Sequence, residues 1–160
     1  MNPRRPEDPL SKTLREQLIG AWKLVSYVEK PTDGSEPFHP MGTEPKGIIM
    51  YTPDGYMSAQ LERPDRPPFA SDDRSKATPE EKERASGYLA YSGPFHTDEE
   101  QQHLTHSMFV SLFPNWEGQT QPRAVKIEGD TLHLGTVTPI QSGGKETMSY
   151  LTWRRAEPNT

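Results

Sequence analysis

Short runs in which apolar and polar side chains alternate, each cut off by a tight-turn signal, recur along this chain from Trp22 to Arg155. A two-residue period sends successive side chains to opposite faces of a strand, so each run can bury one face against others like it. Residues 47–61, GIIMYTPDGYMSAQL, show the unit. Pro53 fixes φ at the second turn position and Gly55 tolerates positive φ at the fourth, which folds two strands back on each other. Further strands are expected over 22–29, 88–97, 104–113, 121–128, 131–138 and 146–155. About eight strands with little helix make the chain all-β, an antiparallel barrel or sandwich.

Helical signals are few. Leu14, Leu18 and Ile19 carry helical spacing within 11–19, enough for a short N-terminal turn. Thr78-Pro79-Glu80-Glu81 has the form of a capping box with proline at the first helical position, which predicts one inserted helix over 79–86. Residues 1–10 read as a flexible tail, and 11–157 as a single domain.

A hydrophobic fraction of 31% with 17 prolines and 12 glycines would also suit a disordered chain. The prolines, however, gather in the tail and in connections such as Pro64, Pro67 and Pro68, leaving the strand runs clean. A net charge of −5, without blocks of like charge, argues against nucleic-acid or anionic-membrane partners. There is no apolar run of about 18 residues and no signal-peptide core near the start. The absence of cysteine excludes disulfides and thiolate metal sites and suits the cytoplasm.

Alternation also says which polar residues point inward. In strand 22–29, Trp22, Leu24, Ser26 and Val28 form the expected inner set, with Lys23, Val25, Tyr27 and Glu29 facing water. Leu89, Tyr91, Gly93 and Phe95 form the inner set of 88–97. In 104–113 the set is Leu104, His106, Met108, Val110 and Leu112, and in 121–128 it is Arg123, Val125 and Ile127. Tyr91, His106 and Arg123 thus face one interior from three successive strands, with no inward Asp or Glu expected near them. A lone guanidinium inside a dry core is too unfavourable to persist, so the interior should be a cavity holding water or a ligand. Met108 and Trp116 join these three as expected ligand-lining residues, Trp116 from the turn Pro114-Asn115-Trp116-Glu117-Gly118.

Other chemistry lacks support. His103 and His106 are three apart, on opposite faces of a strand, so they form no metal pair. No phosphate loop or nucleophile elbow occurs. Neither a metal nor a cofactor is expected.

Gly20-Ala21-Trp22 after a helical turn resembles the G-x-W signature of lipocalins and the wider calycin group. The remaining chain is similar to the bacterial and fungal lipocalin-like domain family: the run from Gly47 to Ser58, Tyr91-Ser92-Gly93, the segment from His106 through Pro114-Asn115-Trp116 to Arg123, and Thr152-Trp153-Arg154-Arg155. The resemblance covers roughly 15–156. It implies an antiparallel lipocalin-like barrel with an interior pocket, in which Arg154 or Arg155 packs across Trp22. Two functions follow as expectations. One is cytoplasmic binding of a small amphipathic organic molecule, with Arg123 meeting its anionic or carbonyl end and a homodimer compatible with that role. The alternative is a small isomerase or cyclase acting on a carbonyl-bearing or polyketide-like metabolite, with His106 and Tyr91 as catalytic candidates.

Overall fold

The computed structural model describes residues 12–160. The tail 1–10 and Ser11 lie outside the described residues. Strands β1 (Gly20–Pro31), β2 (Lys46–Tyr51), β3 (Tyr56–Glu62), β4 (Tyr88–Asp98), β5 (His103–Ser107), β7 (Thr120–Glu128), β8 (Thr131–Thr136) and β10 (Lys145–Arg155) pair antiparallel in chain order. The first strand then pairs with the last, from Trp22↔Arg155 to Pro31↔Thr147, and closes an eight-stranded barrel. Two short strands lie off this ring. β6 (Val110–Ser111) continues on β4 beyond β5, and β9 (Ile140–Ser142) forms a hairpin with β10. Closure gives every strand of the ring a neighbour on both sides for at least part of its length, which reduces the free edge that a sheet exposes to aggregation.

The two expected helices are present and short: α1 (Leu14–Leu18) and α2 (Pro79–Arg84). The Thr78 hydroxyl accepts from the Glu81 N–H while the Glu81 carboxylate accepts from the Thr78 N–H, the reciprocal pair that the sequence motif requires. Glu81 also accepts from the Ala70 N–H at 2.8 Å, so the helix start pins the long connection before it. At α1, the Glu99 carboxylate accepts from the N–H groups of Leu14 (2.7 Å) and Arg15 (3.2 Å).

α1 seals one end of the barrel. Beneath it lies a dry half built from Leu14, Leu18, Trp22, Ile49, Phe95, Leu132 and Trp153, all fully or nearly fully buried. Trp22 donates its indole N–H to the Leu18 carbonyl at 2.9 Å. Arg155, and not Arg154, packs across the tryptophan, with its guanidinium carbon 4.0 Å from the ring centroid. The same guanidinium donates to the carbonyls of Ile19 (3.0 Å) and Gln17 (2.5 Å). Gly20 makes the approach feasible. Its φ of +121° suits glycine, and a Cβ there would stand 3.1 Å from an Arg155 nitrogen.

Two expectations of facing are corrected. In β1 the register slips between Leu24 and Ser26, a bulge that inverts the alternation. Val25 is exposed, as expected, but beyond it Tyr27, Glu29 and Pro31 turn inward where Ser26 and Val28 were expected. The expected strand 104–113 also splits. A Cβ on Gly93 would lie 1.7 Å from the Ser107 carbonyl oxygen, so the two backbones touch at that point, where β5 ends. The chain then leaves the ladder at Met108 and Phe109, and Val110 and Leu112 become exposed instead of inward.

Arg155→Ala removes two charge-assisted hydrogen bonds and a cation–π contact, each worth about 0.5–3 kcal/mol. Chemical denaturation should show a loss of about 3 kcal/mol, whereas exposed Arg154→Ala should change stability by less than about 0.5 kcal/mol. Equal effects would mean that the seal does not depend on Arg155.

Candidate functional site

The barrel end opposite α1 is open to a cavity of about 620 Å³, within the usual range for small-molecule sites. Its apolar wall comes from Leu61 of β3, Leu89 and Tyr91 of β4, and Leu151 of β10. Phe113, Asn115 and Trp116 form part of its mouth, with Gln119 beside them and Ile140, Gln141 and Ser142 of β9 contributing the rest. Tyr27 and Glu29 of β1, Gln121 and Arg123 of β7, and Ser149 of β10 supply its polar groups.

The proline-tryptophan turn explains the mouth. Pro114 at the first position starts a short 3₁₀ turn, Pro114–Trp116, which aims the indole back at the barrel. Trp116 meets the Tyr91 ring edge-on at 5.6 Å between centroids and the Phe113 ring likewise at 5.6 Å. The Met108 N–H to the Gln119 carbonyl (3.0 Å) and the Gly118 N–H to the Met108 carbonyl (2.8 Å) tie this turn to the end of β5.

Arg123 lines the cavity as a half-buried residue. It donates to the Pro122 carbonyl at 2.8 Å and to the Gln121 side-chain oxygen at 2.6 Å. A guanidinium has five N–H donors, so these two leave others for the cavity. Among the described residues no carboxylate lies within salt-bridge distance of it. An inward carboxylate does exist, contrary to expectation: Glu29, turned inward by the bulge and fully buried. Three hydroxyls donate to it: Tyr27 at 2.6 Å, Thr147 at 2.7 Å and Ser149 at 2.6 Å. Burial, and after it the charge and hydrogen bond of Glu29, pushes the Tyr27 hydroxyl well above its ordinary pKa.

Tyr91, Arg123 and Trp116 therefore share the cavity, whereas His106 and Met108 are buried behind its wall. The His106 ring lies 6.1 Å from that of Tyr91, and its Nε2 is 2.8 Å from the Tyr51 hydroxyl. Its Nδ1 is buried without a hydrogen-bond partner among the described residues. Burial, assisted by the Arg123 charge, lowers its pKa to about 3, so it is a neutral imidazole at pH 7. Burial raises the Tyr91 hydroxyl, against an opposing pull from Arg123. Among the described residues no group of three or more metal-ligating side chains occurs, and no helix is long and apolar enough to cross a membrane.

Tyr27, Glu29 and Ser149 escaped the sequence reading. One signal was available. Counting back from inward Trp153 in twos gives Leu151, Ser149 and Thr147, and two small hydroxyls in an inward row call for a polar partner on the neighbouring strand. The pairing Glu29↔Ser149 supplies it.

A closed antiparallel barrel with a polar-floored, aromatic-rimmed cavity is a vessel that binds a small molecule. The chain belongs to the lipocalin-like domain family, whose model matches residues 19–156. It is also similar to a 4'-hydroxy-3'-methoxypropiophenone carrier protein of Aspergillus oryzae, 42% identical over 106 residues, an alignment that covers 62% of this chain and 96% of the relative.

The depressed His106 pKa has a consequence for stability. The fold disfavours the imidazolium, while the unfolded chain takes up the proton below about pH 6.5. Stability is therefore full above that pH and falls as the pH drops toward about 3. Between pH 7 and pH 5, denaturant titrations should show the wild type losing about 2 kcal/mol more than His106→Gln. Parallel losses in the two proteins would refute a buried neutral His106.

Proposed function

We propose that this barrel binds and carries a small aromatic ketone, with the carbonyl oxygen accepting from Arg123 and the ring held by Tyr91 and Trp116. The observation that carries the reading is Arg123: a guanidinium on the wall of an aromatic-rimmed cavity, with N–H donors left over and no carboxylate within salt-bridge distance among the described residues. A carbonyl oxygen suits those donors, and edge-on aromatic neighbours suit a planar ring. The relative named for carrying a hydroxy-methoxy propiophenone supports this ligand class. Carriage is favoured over isomerisation because His106, the expected acid–base group, lies behind the wall and is neutral at pH 7. A cytoplasmic setting belongs to the same reading, and the cysteine-free sequence suits it.

Titration with 4'-hydroxy-3'-methoxypropiophenone, followed by calorimetry, tests the reading. Arg123→Met should weaken binding by roughly 10- to 100-fold, the equivalent of about 1.5–3 kcal/mol for a hydrogen bond to a charged group. Thermal stability should hold or rise, because a partly desolvated charge is removed. Undiminished binding by Arg123→Met would place the carbonyl elsewhere and sink the proposal.

A further inference from the structure

We infer that Glu29 is a positioning residue that turns Tyr27 into a hydrogen-bond acceptor, so that the cavity selects a ligand carrying a hydroxyl donor as well as the carbonyl. The inference rests on the carbonyl reading above and adds a second point of recognition to it.

The argument is a count of protons. A tyrosine, serine or threonine hydroxyl has one hydrogen to donate. The hydroxyls of Tyr27, Thr147 and Ser149 each spend theirs on the Glu29 carboxylate. Whatever those oxygens still present is lone pair. Glu29 borders the cavity but is fully buried, its carboxylate oxygens covered by the three hydroxyls, whereas Tyr27 is only half-buried and presents its own surface there, with Ser149 beside it. The negative charge behind Tyr27 strengthens its oxygen as an acceptor and holds its proton away from the cavity. Ionisation of Tyr27 is opposed as well, since burial and Glu29 both raise its pKa. Arg123 offers the reverse: a guanidinium donates and cannot accept. Both residues line the one cavity, so the two groups address the same space.

The cavity therefore has a donor-only pole at Arg123 and an acceptor pole at Tyr27. A molecule with a carbonyl at one end and a hydroxyl at the other satisfies both. One lacking the hydroxyl leaves the Tyr27 oxygen desolvated and unpaired, which sites built around a substrate hydroxyl penalise heavily.

Two ketones that differ only in this donor provide the test: 4'-hydroxy-3'-methoxypropiophenone and 3'-methoxypropiophenone, titrated at pH 6 so that the phenol keeps its proton. Wild type should bind the hydroxylated ketone about 10-fold more tightly or better. Tyr27→Phe, which leaves Thr147 and Ser149 on Glu29, should bring that ratio close to one, with affinity for the deoxy ketone rising because no unpaired oxygen is left to penalise it. Glu29→Gln should also collapse the ratio, because an amide can donate to Tyr27 and reverse its polarity. A purely structural Glu29 would instead weaken both ketones alike. If Glu29→Gln fails to fold, the wild-type ratio and Tyr27→Phe decide the matter. A wild-type ratio near one, with both ketones binding, overturns the inference and leaves the carbonyl reading standing. An unchanged ratio in Tyr27→Phe also overturns it. Failure of both ketones to bind removes the carbonyl reading and this inference together.

Discussion

The carbonyls at the C-terminal end of α1 need donors, and the way they find them holds the barrel closed. A helix of five residues leaves most of its backbone groups without intrahelical partners. Here the Leu18 carbonyl accepts from the Trp22 indole, while those of Gln17 and Ile19 accept from Arg155. One tryptophan from the first strand and one arginine from the last thus bind the same helix end. The guanidinium also sits over the indole ring, so its charge meets a polarisable face as well as the carbonyl dipoles. Helix, first strand and last strand meet in a single cluster, and closure of the sheet follows from its geometry.

A strand that buries Trp22 at the dry end cannot, by simple alternation, bury Glu29 at the wet end, because the two are seven residues apart and opposite in phase. The bulge after Leu24 removes that conflict. It lets one strand serve two halves of different character: an apolar floor below, and above it a carboxylate whose three hydroxyl partners come from its own strand and from β10. A buried carboxylate without such donors would be strongly destabilising, so Thr147 and Ser149 are as necessary to the arrangement as Glu29 itself.

How much of this the sequence disclosed depends on whether a feature was periodic or local. The strand runs, the Pro53-Gly55 hairpin, the capping box at Thr78 and the burial of Trp22 follow from patterns in the residues and were legible, whereas closure into a barrel was implied by the family resemblance. Arg123 and Tyr91 were placed at the cavity wall in the same way, by carrying phase along strands that stay regular, and Trp116 came from the proline-tryptophan turn. The failures cluster where regularity breaks. The bulge in β1 has no proline or glycine to mark it, and its effect was to hide the carboxylate and tyrosine of the acceptor pole. The break after Ser107 depends on Gly93 of a different strand, a contact that no local pattern in 104–113 encodes. Choosing between Arg154 and Arg155 needed the same inter-strand information, since the answer turns on which of the two pairs opposite Trp22.

Keeping the two charges of the cavity apart is what leaves it able to recognise anything. Had Arg123 and Glu29 formed an ion pair, each would have satisfied the other, and the cavity would present little but aromatic and aliphatic surface. Instead Glu29 is answered by hydroxyls and Arg123 by a backbone carbonyl and a glutamine amide, neutral partners that fix each charge in place without cancelling it. Such partners orient the charges before any ligand arrives, so binding need not reorganise the wall. The arrangement also sets a limit on what can enter. A ligand carboxylate suits Arg123, but it finds at Tyr27 an oxygen whose proton is already committed, backed by a second negative charge. On the proposed reading, polarity at the two poles, more than cavity size, decides both which molecules enter and which way round they lie.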